Sequence, residues 1–389
     1  MRGKKYGALA IPVAATLLLF AFGASSLAQG TSPSNRAASS TSGVDANLSA
    51  LQVTISSYQG IPSFTAPGPA LEPSKFRGKT ILNIPDSTSN PFAAGVAAAE
   101  QEAAKVAGVN YIICTNQGEV TQWAECYSEA IGRHVNLIDD FGGADPRELG
   151  PQIQQAQSAG ITVVAENVYG FSQKPEGGIK YSIPTPYEEA GKLMADWVVL
   201  DTKANADVLV ITSNEVLCTA VIVKGIKQVF GQYCPHCKLT YVNVPVADWA
   251  TRIQGDVLSA LTADPKLNYV IPIYDSMTEY VIPAITAARR IGKTFVSTFN
   301  GTPFVLKDMQ DGNIVRMDIG EDLQWVGWAF IDADLRLLSG AKLPSVFNEH
   351  TPLRIFTKQN VNDAGVPPQA GTGYGNAYIS GYKALWGGG

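Results

Sequence analysis

From Lys79 onward, short apolar runs alternate with stretches whose apolar residues recur every three or four positions. TILNIP (80–85) is the first such run and predicts a buried strand. Asn90 then offers a helix cap and Pro91 a first helical residue, and Phe92, Val96, Ala99, Ala103 and Val106 form one stripe. VNYIICTN, VNLIDDF and ITVVAENV read as further strands, separated by helices through Trp123 and Ile131 and over 145–159. Gly108, Gly132 and Gly160 fall near the helix ends, where a left-handed cap is expected. Strand–helix units in succession predict an α/β fold with a parallel sheet and right-handed crossovers.

IKYSIPTP interrupts this rhythm near 184, and the pattern then restarts. It runs through helix 187–201, DVLVITSN, helix 218–232, LTYVNVPV, helix 252–262, YVIPIY, a helix to Ile291 and TFVSTF. NIVRMDIG and a long helix through Trp325, Trp328 and Leu337 follow. Two series of similar length read as two similar lobes. Upstream, residues 29–43 are small, polar and aperiodic, which predicts a flexible tether. Asp45 can cap a short helix whose Leu48, Leu51, Ile55 and Tyr58 share a face, and the proline-rich stretch Ile61–Pro73 reads as an extended strap.

Arg2, Lys4 and Lys5 precede a continuously apolar or small segment, Ala8–Phe22, and Ser26-Leu27-Ala28 supplies small residues where a signal peptidase cuts. Residues 1–28 are therefore expected to be a signal peptide cleaved after Ala28. An uncleaved anchor is the rival, because Gly7–Ala28 is long enough to cross a bilayer. No cysteine precedes Cys114, so the acylation site of a lipoprotein leader is missing. Export to the periplasm or cell surface is the expectation.

With 389 residues, 46% of them hydrophobic, the chain has material for two or three ordinary domains. The formal charge of −5, which becomes more negative once Arg2, Lys4 and Lys5 are removed, repels nucleic acid and anionic lipid. Only His134, His236 and His350 are available, which argues against an imidazole-rich metal site. No GxSxG, GxxxxGK[ST] or HExxH is present, and GTGYG near the C-terminus lacks the strand–helix context of a phosphate loop. No cofactor is expected.

SNPFAAGVAAAEQEAAKVAGVN, GADPREL followed by QIQQAQSAGITVV, VADWATR, IPIYDSMTEYVIPAITAARRIG and STFNGTP carry a resemblance in their order and spacing. Over about residues 79–386 the chain resembles the type I periplasmic solute-binding proteins, in the ribose/galactose-binding-like branch that serves ATP-binding-cassette transporters. The resemblance implies two doubly wound parallel-sheet lobes joined by a three-strand hinge, with crossings near 183–186, 318–321 and 350–353. Lobe 1 would then comprise 79–184 plus 320–350, and lobe 2 would comprise 185–319 plus 351–386. It further implies a monomer that captures a small-molecule solute between the lobes and presents it to a membrane permease. A ligand sensor for a chemoreceptor or kinase is an alternative on the same fold.

The same resemblance points to cleft residues at the carboxyl ends of the strands, where open parallel sheets collect ligands. Asp86, Asn90 and Phe92 follow the first strand, although Phe92 also fits the core stripe of its helix. Asn167 follows the fourth strand and can both donate and accept; its neighbour Glu166 can cap or face solvent. Trp249 matches an aromatic that stacks on a sugar face, or else packs at a lobe edge. Tyr274 and Asp275 end another strand, Asn300 matches a hydroxyl-binding Asp or Asn, and Asp318 sits at the second crossing. The family's arginine after the sixth strand is missing: CTAVIVKG places Ala220 and Ile222 there. Without a bidentate guanidinium fork an anionic ligand is disfavoured, and a polyol or a ligand with a larger apolar part fits better.

Five cysteines in an exported chain allow two disulfides, with Cys114–Cys126 and Cys234–Cys237 as candidates and Cys218 left over. Cys234-Pro235-His236-Cys237 matches the tetrapeptide of exported thiol–disulfide oxidoreductases. Here it follows a predicted helix, whose C-terminal partial charge opposes a thiolate, so a structural disulfide is the better reading. The Asp139-Asp140 pair at a strand end is expected on a solvated loop edge.

Overall fold

The computed structural model describes residues 33–142 and 145–387. The expected signal peptide, or anchor, lies outside the described residues. Val44–Gly389 forms one compact unit. The first half runs α1 (Pro33–Ser57), β1 (Thr80–Pro85), α2 (Pro91–Ala107), β2 (Asn110–Ile113), α3 (Val120–Gly132), β3 (Leu137–Phe141), α4 (Gly150–Ser158), β4 (Thr162–Gly170) and β5 (Tyr181–Thr185). The second continues α5 (Tyr187–Asp201), β6 (Asp207–Thr212), α6 (Thr219–Tyr233), β7 (Lys238–Asn243), α7 (Trp249–Ala263), β8 (Tyr269–Pro272), α8 (Asp275–Ala287), β9 (Phe295–Asn300), α9 (Pro303–Asp311) and β10 (Val315–Glu321). Finally come α10 (Leu323–Leu338), β11 (Leu353–Thr357) and α11 (Ala377–Leu385).

Two sheets result. The first is parallel throughout, in the order β2-β1-β3-β4-β5. The second, β11-β10-β9-β8-β6-β7, repeats that order from β7 to β10 and adds β11 antiparallel at its edge. In each sheet the chain first goes one way and then the other, so each has a topological switch point, at β1/β3 and β6/β8. Both faces of the first sheet are covered, which is why Ile81, Leu82 and Ile84 of TILNIP are buried on alternate faces. Ile81 faces α2 and α10 with Phe141 and Val164, while Leu82 and Ile84 face the cluster of Trp123, Tyr127 and Ile153.

Local chemistry sets the element boundaries. Asn90 Oδ1 accepts from Phe92 N at 3.0 Å, capping α2, and Gly108 ends the helix at φ +79°. The inner face of α2 is Ala93, Val96, Ala103, Ala104 and Ala107; Val106, expected in that stripe, is 43% exposed because it falls a third of a turn away. Helix α4 starts at Gly150 rather than at 145, since Asp145 Oδ1 accepts from Arg147 N at 2.9 Å and shapes a turn. In lobe 2, α5 and α6 touch backbone to backbone: a Cβ on Gly191 would lie 2.2 Å from Ile222 O, and one on Gly225 2.3 Å from Glu188 O.

The chain passes between lobes after β5, between β10 and α10, and before β11, near the three expected crossings. Before the last passage, Phe347 N donates to Ser182 O at 2.9 Å, laying residues 345–347 beside β5. Two further passages were not foreseen. Leu51 and Ile55 of α1 are buried in the lobe 2 core, whereas Phe64 and Leu71 of the strap pack on lobe 1. Residues 377–386, assigned above to lobe 2, lie instead in lobe 1: Trp325 stacks on Tyr378 at 5.0 Å and Trp328 on Trp386 at 5.3 Å. These rings are too large and flat to be left in water, and α10 offers them an aromatic surface. The stretch from 33, expected as part of a flexible tether, is helical as the start of α1.

Candidate functional site

The carboxyl ends of the two sheets bring the candidate residues together. At the tip of β1, Asp86 Oδ2 accepts from Asn90 Nδ2 at 2.8 Å. Asn90 Oδ1 also receives Ser276 Oγ of α8 at 3.4 Å, a contact from lobe to lobe. A second one is Gln173 Nε2 to Leu217 O at 2.8 Å. The lobes are thus in contact across the cleft. Phe92 is 8% exposed and stacks on Phe141 at 6.1 Å, so most of its ring serves the lobe 1 core.

Asn167 takes φ +58°, with its Oδ1 receiving Thr185 Oγ1 at 2.5 Å and its carbonyl receiving Tyr187 OH at 2.7 Å. Tyr187 meets Phe299 edge to face at 6.0 Å, which ties the amide to the lobe 2 strand ends. Asn300 also has a positive φ, +145°. Strain of this kind costs on the order of 1–3 kcal/mol and persists where the surroundings over-determine it, as in ligand clamps. Asn300 is fixed on both sides: Asp275 N donates to its Oδ1 at 3.3 Å, and its Nδ2 donates to Glu321 Oε1 at 3.0 Å.

Asp275 Oδ2 in turn accepts from Thr302 N at 2.7 Å and Thr302 Oγ1 at 2.6 Å, and Asp318 Oδ1 accepts from Gly301 N at 3.2 Å. Burial pushes Asp275 up to about 6 and Glu321 up to about 8; it also raises Asp318, with the Asp275 charge adding to the effect. Asp275 Oδ1, Asp318 Oδ2, Glu321 Oε2 and Tyr374 OH are buried without a protein partner. Each such group costs ~1–3 kcal/mol unless something meets it. Tyr374 reaches this place because Gly320 has no side chain: a Cβ there would lie 1.7 Å from the Tyr374 hydroxyl.

Trp249 lies beside Tyr274, ring centroids 6.3 Å apart. Its Nε1 is committed to Ser213 Oγ at 2.9 Å and Val244 O at 3.2 Å, so the indole N–H is satisfied within lobe 2. Tyr274 OH approaches Cys218 Sγ at 3.2 Å and Thr219 Oγ1 at 3.4 Å. Of the nine candidates, Asp275, Asn300 and Asp318 thus form one network, Trp249 and Tyr274 a second beside it, and Asp86 and Asn90 face them from lobe 1.

Glu321, Thr302, Tyr374 and Cys218 were not singled out for the cleft. Glu321 ends β10, the position at which a doubly wound sheet presents its site, so that signal was readable. Tyr374 arrives from far along the chain and carried none. Glu166 does not cap or face solvent, and Asp139 and Asp140 are not on a solvated edge: all three are buried. Asp140 accepts from Tyr127 OH at 2.8 Å beneath the sheet, whereas Glu166 and Asp139 point to the opposite face. A separate cavity of about 310 Å³, lined by Ile282, Ile291, Asp308 and residues 311–315, holds none of the nine candidates.

Cys114–Cys126 and Cys234–Cys237 are disulfides, and Cys218 is free and buried. Cys234 is the C-cap of α6 and only 1% exposed, a poor place for a reactive thiolate. No helix among the described residues is long and apolar enough to cross a membrane.

Paired doubly wound lobes whose strand ends face each other across a polar cleft define a type I binding-protein fold. Residues 81–342 match the periplasmic binding protein domain, and the chain belongs to that family. Among solved structures it is similar to a 5-methylthioribose transporter solute-binding protein from Thermotoga lettingae, at 21% identity and a TM-score of 0.69, covering 82% of this chain and 99% of that one. It is also similar to a solute-binding protein from Agrobacterium vitis with bound allitol, at 20% identity and a TM-score of 0.66, covering 74% and 98%. A third, from Actinobacillus succinogenes with bound D-allose, shares 19% identity at a TM-score of 0.65 over 73% and 99%. No curated protein matches. The family and these neighbours are binding proteins rather than enzymes, and the family implies an exported protein.

Proposed function

We propose that this chain is an extracytoplasmic receptor that closes its lobes on a small, neutral, hydroxyl-rich solute and delivers it to the permease of an ATP-binding-cassette importer. The observation that carries the reading is the Asp275–Asn300–Glu321 network with Asp318, whose unpartnered acceptors suit a ligand rich in hydroxyl donors. Trp249 and Tyr274 supply flat apolar surface beside it, as a sugar ring or polyol chain needs. Buried carboxyls and the missing arginine fork disfavour an anion. The solutes bound to the structural neighbours (allitol, D-allose and 5-methylthioribose) belong to the class inferred here.

Thermal shift against these three solutes and a wider polyol and sugar panel tests the reading. A true ligand at 100 times its Kd adds ~2.7 kcal/mol to stability. Asn300→Ala and Trp249→Ala should remove the shift while leaving a cooperative melt. A folded wild-type protein that no neutral solute stabilises would overturn it.

A further inference from the structure

On the face of the first sheet that meets α2 and α10, the apolar core is interrupted by acids. Asn83 on β1, Asp139 on β3 and Glu166 on β4 point to this face, because Asn83 is register partner of Asp139, and Glu166 lies two residues beyond Val164, the partner of Asp139. Glu100 comes down from α2 and Asp334 from α10. The two helices approach closely because Gly327 lacks a side chain: a Cβ there would stand 2.8 Å from Glu100 N and 2.9 Å from Val96 O. Asp334, seven residues on, returns to the same side of α10.

All five side chains are no more than 1% exposed. Among the described residues, no lysine, arginine or histidine pairs with any of the four acids. Their donors are Asn83 Nδ2, shared between Asp139 and Glu100, and Tyr111 OH, which donates to Glu100. Seven oxygens keep no partner: Glu100 Oε1, Asp139 Oδ1, both of Glu166, both of Asp334, and Asn83 Oδ1. The Asn83 amide turns its Nδ2 to Asp139 and Glu100 and buries its Oδ1 without a partner; turned over, it would present that oxygen to the same two carboxyls. Four buried carboxyls with no cation carry a prohibitive charge unless protons or a metal neutralise them. Burial raises the pKa of each, and mutual repulsion adds to it for Glu100, Glu166 and Asp334.

Ligand atoms of Glu100, Asp139 and Glu166 lie within 4.8 Å of one another, the span available around one cation at ~2.4 Å from each oxygen. The donor set is oxygen only, which suits a hard ion and not zinc or copper. Calcium accepts six to eight oxygens in loose geometry, whereas magnesium holds on to water that this enclosed place would have to admit. We propose that the interior of lobe 1 holds one calcium ion, ligated by Glu100, Asp139 and Glu166, with Asp334 alongside and Asn83 turned over to offer Oδ1 in place of Nδ2. Such an ion would pin α2 and α10 to the sheet, and through α2 it would steady the Asn90 corner of the cleft.

The test uses the full chain, produced with calcium, dialysed exhaustively, and analysed by elemental emission and by thermal melting with and without prior unfolding in a chelator. About one calcium per chain is expected, with a lower Tm after refolding in chelator that added calcium chloride restores and magnesium chloride does not. Terbium should bind in calcium's place with luminescence excited through nearby Tyr111. Glu166→Gln and Asp139→Asn, which keep shape and remove charge, should weaken calcium binding about tenfold or more. Protein that carries no calcium as produced, and whose Tm ignores calcium on refolding, would overturn the site and assign the cluster to shared protons. If the variants fail to fold, the wild-type calcium content and terbium competition still decide.

Discussion

Ser276 on α8 of lobe 2 and Asn90 at the head of α2 in lobe 1 share one oxygen: Asn90 Oδ1 takes Ser276 Oγ at 3.4 Å and Phe92 N at 3.0 Å. The atom that caps a helix therefore also registers the approach of the opposite lobe. Any movement of the two lobes toward or away from each other acts on the cap of α2.

Removing this oxygen should therefore do two things. Asn90→Ala is expected to lower stability by ~1 kcal/mol through the lost cap and to speed solute release. Ser276→Ala keeps the cap, so its stability should stay within ~0.5 kcal/mol of wild type while release still quickens. Urea denaturation and stopped-flow release, measured on both variants, separate the roles. Equal release rates in Ser276→Ala and wild type would remove the interlobe contact from the account.

The buried acids around Asn300 predict a pH dependence. Burial lifts Glu321 to about 8 and Asp275 to about 6, above the ~4 of an unfolded carboxyl. The folded state therefore binds more protons, and their contribution is complete below ~4 and lost as pH rises through about 6 and then about 8. Tm should fall between about pH 5 and pH 8. Glu321→Gln, which mimics the neutral acid, should flatten the upper part of that fall; an unchanged slope would show Glu321 ionised in the native state.

The two disulfides should differ in worth. Cys114–Cys126 closes a segment of 12 residues, and its double serine variant should lose about 3 kcal/mol. Cys234–Cys237 closes only 3 and sits at a helix end, so its removal should cost less and leave solute binding intact. Insulin reduction should be negligible in both the wild type and the Cys234→Ser variant.

Gly191→Ala tests the α5–α6 contact, where the added carbon would lie 2.2 Å from Ile222 O. Backbone cannot rotate aside as a side chain does, so a loss of ~1–3 kcal/mol or more is expected in chemical denaturation. Gly231→Ala, with open space around it, is the control and should be neutral or slightly stabilising.

Much of this architecture was legible in short-range pattern. TILNIP, DVLVITSN and YVIPIY announced strands because both faces of a parallel sheet are covered, and Asn90-Pro91 announced α2 because capping is local. Strand ends point to the cleft through the family resemblance and the behaviour of open parallel sheets, not through local pattern. What stayed hidden depends on distant partners. Nothing near Tyr374 tells that Gly320 leaves room for its hydroxyl, and nothing near Tyr378 or Trp386 names Trp325 and Trp328 as their surface. Asp139 and Glu166 read as solvated because isolated acids usually are; only folding sets them against Glu100 and Asp334.

The strap after α1 and the segment leading to α11 each span from lobe 2 to lobe 1, in addition to the three hinge strands. A pair of shells held by extra guy-lines parts less widely than one free on its hinge alone, and each line must slacken before the mouth gapes. Small-angle scattering should accordingly report a narrow swing for the whole chain and a broader one after the aromatic docking of α11 is cut by Trp328→Ala. A narrow swing favours compact cargo, and it carries every opening out to α1 and α11.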